Sequence, residues 1–389
     1  MNPNLRGRAS IVGVGLAGCG EAPGFTELDL AAEAAARAVA DAGLSMKDID
    51  GLVTASLETN MPVLSLAEYL GLQPAFFDGT GIGGSSFIAH LIPAVMALEM
   101  GLCNTVLVAY GSTARTGGHR AAYAKARSVL NETQYEAPYR PMGTVSAYAL
   151  AAARHMHLYG TTREQLAKVA VDARAWARLN PAAFSRDPLT TEDVLRSRML
   201  SDPLTVRDCC LVTDGAGAYI LVRSDRAREI SEYPVAVLGM AAAQSHRNIS
   251  SMPDLTVTSA HRSSADAFAM AGLRPTDIDI AQLYDAFTIN VLLFLEDLGF
   301  CGRGESGDFV MGGAIAPGGS LPVNTNGGGL SCVHPGMYGI FALIEAVEQL
   351  RGTAGKRQVT GVKTALVHGN GGFLSSQATA ILGALNTLL

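Results

Sequence analysis

The sequence predicts a duplicated α/β fold, in which two similar β-α-β-α-β units pack about a pseudo-twofold axis. Three observations predict it. Residues 42–50 read AGLSMKDID and residues 271–279 read AGLRPTDID, so the pattern A-G-L-x-x-x-D-I-D occurs twice. Each copy follows an Ala-rich helical stretch (30–42 and 264–271) that is itself preceded by an apolar strand pattern, ASIVGVG at 9–15 and PVAVLGM at 234–240. Each copy also leads to a Gly-rich loop, and self-similarity across several flanking elements is the signature of a repeated unit.

The elements then follow in matching order. In the first half, GTGIGGSS (79–86) runs into an apolar helix ending near Met100, followed by the strand-like VLVAYG (106–111). In the second, NTNGGGLS (324–331) precedes GIFALIEAVEQL (339–350), followed by ALVHGNGG (365–372). Continuous apolar runs of this length suit buried parallel strands covered by helices. The halves are expected at 1–228 and 229–389. The first is longer, because residues 112–205 have no counterpart and read as an inserted subdomain. It carries Arg115, Arg120, Arg127 and Arg140, then the helical REQLAKVAVDARAWARL (163–179), and rejoins the core at LVTDGAGAYILV (211–222). Those arginines are the expected local site for a phosphate.

Composition narrows the function. Of 389 residues, 48% are hydrophobic and 16% charged, which excludes a disordered chain. A net charge of -6 disfavours nucleic acid or an anionic membrane as partner. None of the six cysteines forms a C-x-x-C pair, so neither a zinc site nor a redox motif is expected, and the thiols read as reduced and cytoplasmic. No apolar run reaches membrane-spanning length. His155 and His157 stand at i, i+2 on a helix and do not share a face, so no metal is expected.

Gly13-x-Gly15-x-x-Gly18 matches the dinucleotide fingerprint, but that mechanism needs a helix opening at the glycines. Here Glu21-Ala-Pro-Gly24 intervenes and the helical pattern starts near Leu28, so the match reads as a decoy.

With the halves aligned, four segments converge at one end of the sheets, where α/β folds bind ligands. They are the Gly83-Gly84-Ser85-Ser86 loop at a helix N-terminus, Tyr284-Asp285-Ala286-Phe287 after a strand-like IAQL, the Gly-rich run 327–336 carrying Cys332 and His334-Pro335, and His368-Gly369-Asn370-Gly371-Gly372. Amides at a helix N-terminus can hold a negative oxygen. Glycines let a ligand approach the backbone, and His before Pro projects an imidazole from a fixed loop.

The whole chain resembles the thiolase superfamily. The resemblance rests on the duplication, on Asp202-Pro203-Leu204 followed by Asp208-Cys209-Cys210, on Thr213-Asp214-Gly215-Ala216 and on the His334-Pro335 loop. The Cys-Cys and Asp-Gly-Ala segment is most similar to the sterol-carrier-protein branch. The resemblance implies the thiolase fold, a layered α-β-α-β-α sandwich with an inserted loop subdomain, acting on acyl-CoA. It also implies a homodimer and a small OB-fold and zinc-ribbon partner protein, with no tightly bound cofactor beyond coenzyme A in the substrate. The departures are specific. Thiolases carry a nucleophilic Cys in a C-x-S-G loop, where Gly84 falls in this chain, counting back from Gly101-Leu102. They carry a second Cys in a C-x-G loop, which His368-Gly369-Asn370-Gly371 lacks, and Asn or His where this chain has Tyr284. The pattern is similar to the thiolase-fold aldolases that shorten steroid side chains, except that those have a second Tyr where this chain has His334.

The expected reaction is therefore (retro-)aldol cleavage of a β-hydroxyacyl-CoA without a Cys acyl-enzyme. Tyr284 transfers the proton, His334 donates to the thioester oxygen, and amides near Gly83, Gly84, Ser85, Ser86, Gly371 or Gly372 complete the oxyanion site. The alternatives are an acyltransferase acting on a β-ketoacyl-CoA through a displaced nucleophile, with Cys332, Ser85 or Ser86 as candidates, and a non-catalytic acyl-CoA or lipid-binding subunit.

Overall fold

The computed structural model describes residues 5–117, 133–141 and 143–384. Nine of its strands form one sheet: β1 (Ala9–Gly20), β2 (Gly51–Thr54), β3 (Phe76–Asp78), β4 (Thr105–Ser112), β7 (Asp214–Arg223), β8 (Val235–Gln244), β9 (Ile280–Leu283), β10 (Thr364–Gly371) and β11 (Ser376–Ala384). A separate hairpin, β5 (Met199–Ser201) with β6 (Leu204–Thr205), belongs to the insertion. The sheet order is β3-β2-β4-β7-β1-β8-β11-β10-β9. The halves meet at β1 and β8, which pair through Ser10↔Ala236 and Ile11↔Val235. Outward from that seam the order β1, β7, β4, β2 is matched by β8, β11, β10, β9. Even β3, parallel to β2, has a remnant counterpart in the parallel bridge of Val323 to Ala281 on β9.

The helices make the layers. Helix α1 (Glu27–Asp41) packs outside β1, β7 and β4, and α6 (Ala260–Ala271) outside β8 and β11. Between the half-sheets lie α2 (Ser86–Ala89), α3 (Leu91–Glu99) and α9 (Gly339–Arg351), and both α3 and α9 touch strands of both halves. This is the α-β-α-β-α arrangement. The start of α1 is set by a capping box: Asp29 N–H donates to Thr26 Oγ1 at 3.1 Å, and Thr26 N–H to Asp29 Oδ2 at 2.8 Å.

Two readings are corrected. The strands are not all parallel: β7 and β11 run antiparallel to both neighbours. The reason is visible at β10–β11, where a tight turn at 372–375 folds the strand back as a hairpin. Residues 113–213 replace that turn in the first half, which is wider than the predicted insertion. The boundary placed at 228/229 falls inside the short helix Ser224–Ile230, since the chain crosses between halves only at 231–234.

The Gly13–Gly18 match lies inside β1, and α1 starts only at Glu27. A Cβ at Gly13 would meet Ala38 O at 2.2 Å, and one at Gly15 would meet Ala34 O at 2.3 Å. These glycines let α1 lie close on the strand.

The insertion contributes α4 (Gly143–Tyr159) and α5 (Arg163–Leu179). Helix α5 packs on α7 (Thr288–Asp297) and on the short α8 (Gly328–Ser331), both in the second half. The insertion thus reaches across the molecule to the elements that carry the site.

Candidate active site

A cleft of about 610 Å³ opens where the strand ends of both halves converge. It is lined by Ile82, Gly83 and Gly84 from one half, and by Tyr284, His334, Gly371 and Gly372 from the other. Four segments distant in sequence therefore share one cavity.

Tyr284 follows β9, and its backbone N–H donates to His368 O at 3.0 Å. The side chain is 4% exposed. Its hydroxyl donates to Gly336 O at 3.0 Å and accepts from Tyr338 N–H at 3.2 Å. Tyr338 immediately precedes α9, so the phenol oxygen sits at the positive end of a three-turn helix. Burial pushes the phenol well above its ordinary range, and the Tyr338 amide opposes that shift. At neutral pH the group is a protonated phenol in a setting that also favours its anion locally.

Gly84 is coupled to this phenol sterically. A Cβ at Gly84 would lie 2.1 Å from Tyr284 Cε2 and 2.4 Å from its hydroxyl oxygen. No side chain fits at 84 while Tyr284 keeps this position; the aromatic ring fills the space into which a nucleophile there would project.

His334 packs edge-on to Tyr284, with ring centroids 5.5 Å apart at 89°. Its backbone is fixed by N–H donation to Thr213 Oγ1 at 2.9 Å. The preceding turn is held by Asp285, which accepts from Gly329 N–H at 2.6 Å and Leu330 N–H at 3.2 Å. Burial pushes the Asp285 carboxyl up to about 7. A second phenol, Tyr110, grips the loop after His334, donating to Pro335 O and accepting from Met337 N–H at 3.2 Å.

Other expected residues stand elsewhere. Ser85 and Ser86 are fully buried and outside the cleft lining: Ser85 Oγ donates to Ile82 O and shares a hydrogen bond with the Ser376 hydroxyl, and Ser86 Oγ accepts from Ile82 N–H. Cys332 also lies outside the lining, its sulfur accepting from Asn180 Nδ2 at 3.5 Å, and burial pushes its thiol far up. These settings deny all three the ionisation or the access that a nucleophile needs. His368 is buried between Gln377 and Thr379, and burial pushes it down to about 4, so it is a neutral structural residue.

Two of the four arginines expected to hold a phosphate stand outside the cleft lining. Arg115 pairs with Glu21 at 2.6 Å, covers the Phe184 ring and is not among the residues lining the cleft. Arg140 does not line the cleft either, and Arg120 and Arg127 lie outside the described residues. Arg247 is the cation among the described residues that line it. Sequence reasoning also missed Tyr148 from α4, since nothing in GTVSAYALAAARHMHLY marks that residue for a site. Val145, Leu211, Val212, Phe287 and Phe373 supply an apolar wall. Among the described residues, no cluster of three His, Cys, Asp or Glu side chains is placed to hold a metal, and no helix is long and apolar enough to cross a membrane.

The layered fold, the facing helix N-termini and the Tyr–His cleft define a thiolase-type acyl-CoA enzyme scaffold. The Thiolase C-terminal domain-like family matches residues 241–384. The chain is 37% identical to the 17-hydroxy-3-oxo-4-pregnene-20-carboxyl-CoA lyase of Mycobacterium tuberculosis, over 93% of this chain and 96% of that protein. It is 35% identical to an acetyl-CoA acetyltransferase of Methanothermobacter thermautotrophicus, over 93% and 96%. A solved Ltp2-ChsH2(DUF35) aldolase superposes with a TM-score of 0.89 at 34% identity, covering 99% of this chain and all of that one. The chain belongs to the thiolase superfamily, in the branch of the steroid side-chain-cleaving aldolases and sterol-carrier-protein-type thiolases.

Proposed function

We propose that this protein is a C–C lyase that splits a β-hydroxyacyl-CoA by retro-aldol cleavage. The observation that carries the reading is the exclusion between Gly84 and Tyr284. Family relatives include both lyases and acyltransferases, and transfer requires an attacking side chain. Here that space is filled by a phenol held on two backbone groups, while Ser85, Ser86 and Cys332 are turned away or buried. A retro-aldol step needs no covalent intermediate.

The reaction requires only that one hydrogen move from the β-hydroxyl to the α-carbon. Tyr284, acting as phenolate once its own hydroxyl proton has passed to solvent, takes the β-hydroxyl proton as the Cα–Cβ bond breaks, and the electron pair of that bond passes into the thioester as its enolate. The β-carbon leaves as a ketone or aldehyde. His334 and the glycine amides hold the enolate oxygen, and Tyr284 returns the proton to the α-carbon. Burial favours the neutral phenol, so the Tyr338 amide and the dipole of α9 supply the stabilisation that the transient phenolate needs.

Arg247 is the residue we assign to the CoA phosphates. The apolar wall suits a bulky, ring-bearing acyl group, as in the substrate for which the mycobacterial relative is named. The ChsH2 (DUF35) component in the name of the solved aldolase supports a small OB-fold and zinc-ribbon partner for this chain, and we propose a homodimer as the functional unit.

The test is a panel of β-hydroxyacyl-CoA and β-ketoacyl-CoA substrates, with and without free CoA. The lyase cleaves the hydroxy substrate without added CoA. Cleavage of the keto substrate that requires CoA would identify a transferase. Tight binding with no turnover of either would identify a non-catalytic subunit.

A further inference from the structure

We infer that Tyr148 is a positioning residue for the oxyanion side of the cleft, reaching in from the inserted segment to lock the 370–372 backbone. The inference rests on the lyase reading and adds to it a residue that neither sequence pattern nor family resemblance marked.

Tyr148 lines the cleft from α4, 1% exposed, with its ring stacked on Phe287 at 4.4 Å between centroids. Its hydroxyl accepts from Asn370 Nδ2 at 2.7 Å and donates to Gly372 O at 3.2 Å. One hydroxyl therefore ties both residues that flank Gly371. Asn370 is itself anchored, its Oδ1 accepting from Gln377 Nε2 at 2.9 Å, and Gln377 Oε1 meets His368 Nε2 at 2.9 Å. The phenol thus ends a buried chain of hydrogen bonds rooted in β10 and β11. Burial pushes it up to about 12, which keeps it a donor to Gly372 O across the working range.

The tie matters because of what it holds. Gly371 and Gly372 are adjacent glycines, and Gly372 sits at φ +68°, so their own conformational preference is weak. Yet Gly372 N comes within 2.9 Å of where a Cβ on Gly83 would stand, so the two amide-bearing loops face each other closely. An oxyanion site works only when its donors are fixed before the charge develops. A glycine pair gains that rigidity from outside, and Tyr148 is the cleft-lining side chain whose hydroxyl bonds to both neighbours of Gly371.

Tyr148→Phe keeps the stacked ring and removes only the hydroxyl. Deleting an oxyanion donor costs about 10²–10³ in rate, and loosening one costs less, so we expect kcat to fall about ten- to a hundredfold. KM should stay within about threefold and the melting temperature unchanged. Nitroethyl-CoA, whose planar nitronate mimics a thioester enolate, should lose a similar factor in affinity while propionyl-CoA does not. Asn370→Ala breaks the same tie from the other side, and the double variant should be no worse than the poorer single one. Unchanged kcat, a loss confined to KM or to the melting temperature, or additive losses in the double variant would overturn the role of Tyr148. Wild-type protein that binds nitroethyl-CoA no better than propionyl-CoA would overturn the enolate site itself, and this inference with it.

Discussion

In the first half the chain passes from the Gly-rich loop at 79–84 straight into α2 and α3, and at 83–84 the loop gives the cleft two glycines. In the second half the equivalent passage, from 324 to α9, is interrupted by α8 and a loop gripped by two phenols, and the cleft receives the imidazole of His334. Duplication brings two helix N-termini to one place. The difference between them makes the site: at 83–84 one half presents glycine, and the other fills that room with Tyr284. Bare backbone at 83–84 and an aromatic ring at 284 are thus one feature seen from two sides.

The largest effects should come from the side-chain half. Tyr284→Phe and His334→Ala are each expected to lower kcat by a thousandfold or about that, with folding unchanged, since each removes a group aimed at the reacting atoms. Steady-state kinetics with circular dichroism checks this, and near-wild-type turnover in either variant breaks the comparison. On the backbone half, Gly84→Ala adds one carbon where Tyr284 already stands. We expect at least a hundredfold loss of kcat and, as for overpacking in general, a cost of about 1–3 kcal/mol in stability. Wild-type behaviour would mean that the two halves are not sterically coupled.

A pH series sharpens the same point. Because the phenol titrates above its ordinary range of about 10, its anion rises about tenfold per unit between pH 7 and 9. The cleavage rate should rise with it, and so should the condensation rate, because the same steps run in reverse also start from the phenolate. The smallest effects belong to side chains that the sequence brings near the site and the fold turns away. Ser85→Ala and Cys332→Ala should leave kcat within about threefold, measured in the same assay.

Much of this was legible in the sequence, for physical reasons. The repeat could be read because AGL-x-x-x-DID recurs with its flanking elements, and the convergence of four loops follows from that duplication. The false dinucleotide motif could be rejected because a strand needs glycine where a helix lies on it, as at Gly13 and Gly15. What could not be read depends on long-range contact. Cys332 is two residues from His334, yet the turn after α8 sends its thiol toward Asn180. Ser85 is next to Gly84, yet its hydroxyl turns to Ser376. Tyr148 and Arg247 carry no local pattern and enter the site only through tertiary packing. The antiparallel strands β7 and β11 were hidden because a buried apolar run has the same appearance in either direction.

The central claim is that a phenol stands where a covalent attacker would, so no acyl-enzyme forms. Rapid acid quench of the turning-over protein with its β-hydroxyacyl-CoA, followed by intact-protein mass spectrometry, tests it most directly. The expected result is unmodified protein throughout turnover. A substrate-dependent acyl adduct on Ser85, Ser86, Cys332 or any other residue that forms and decays at the rate of turnover would contradict it.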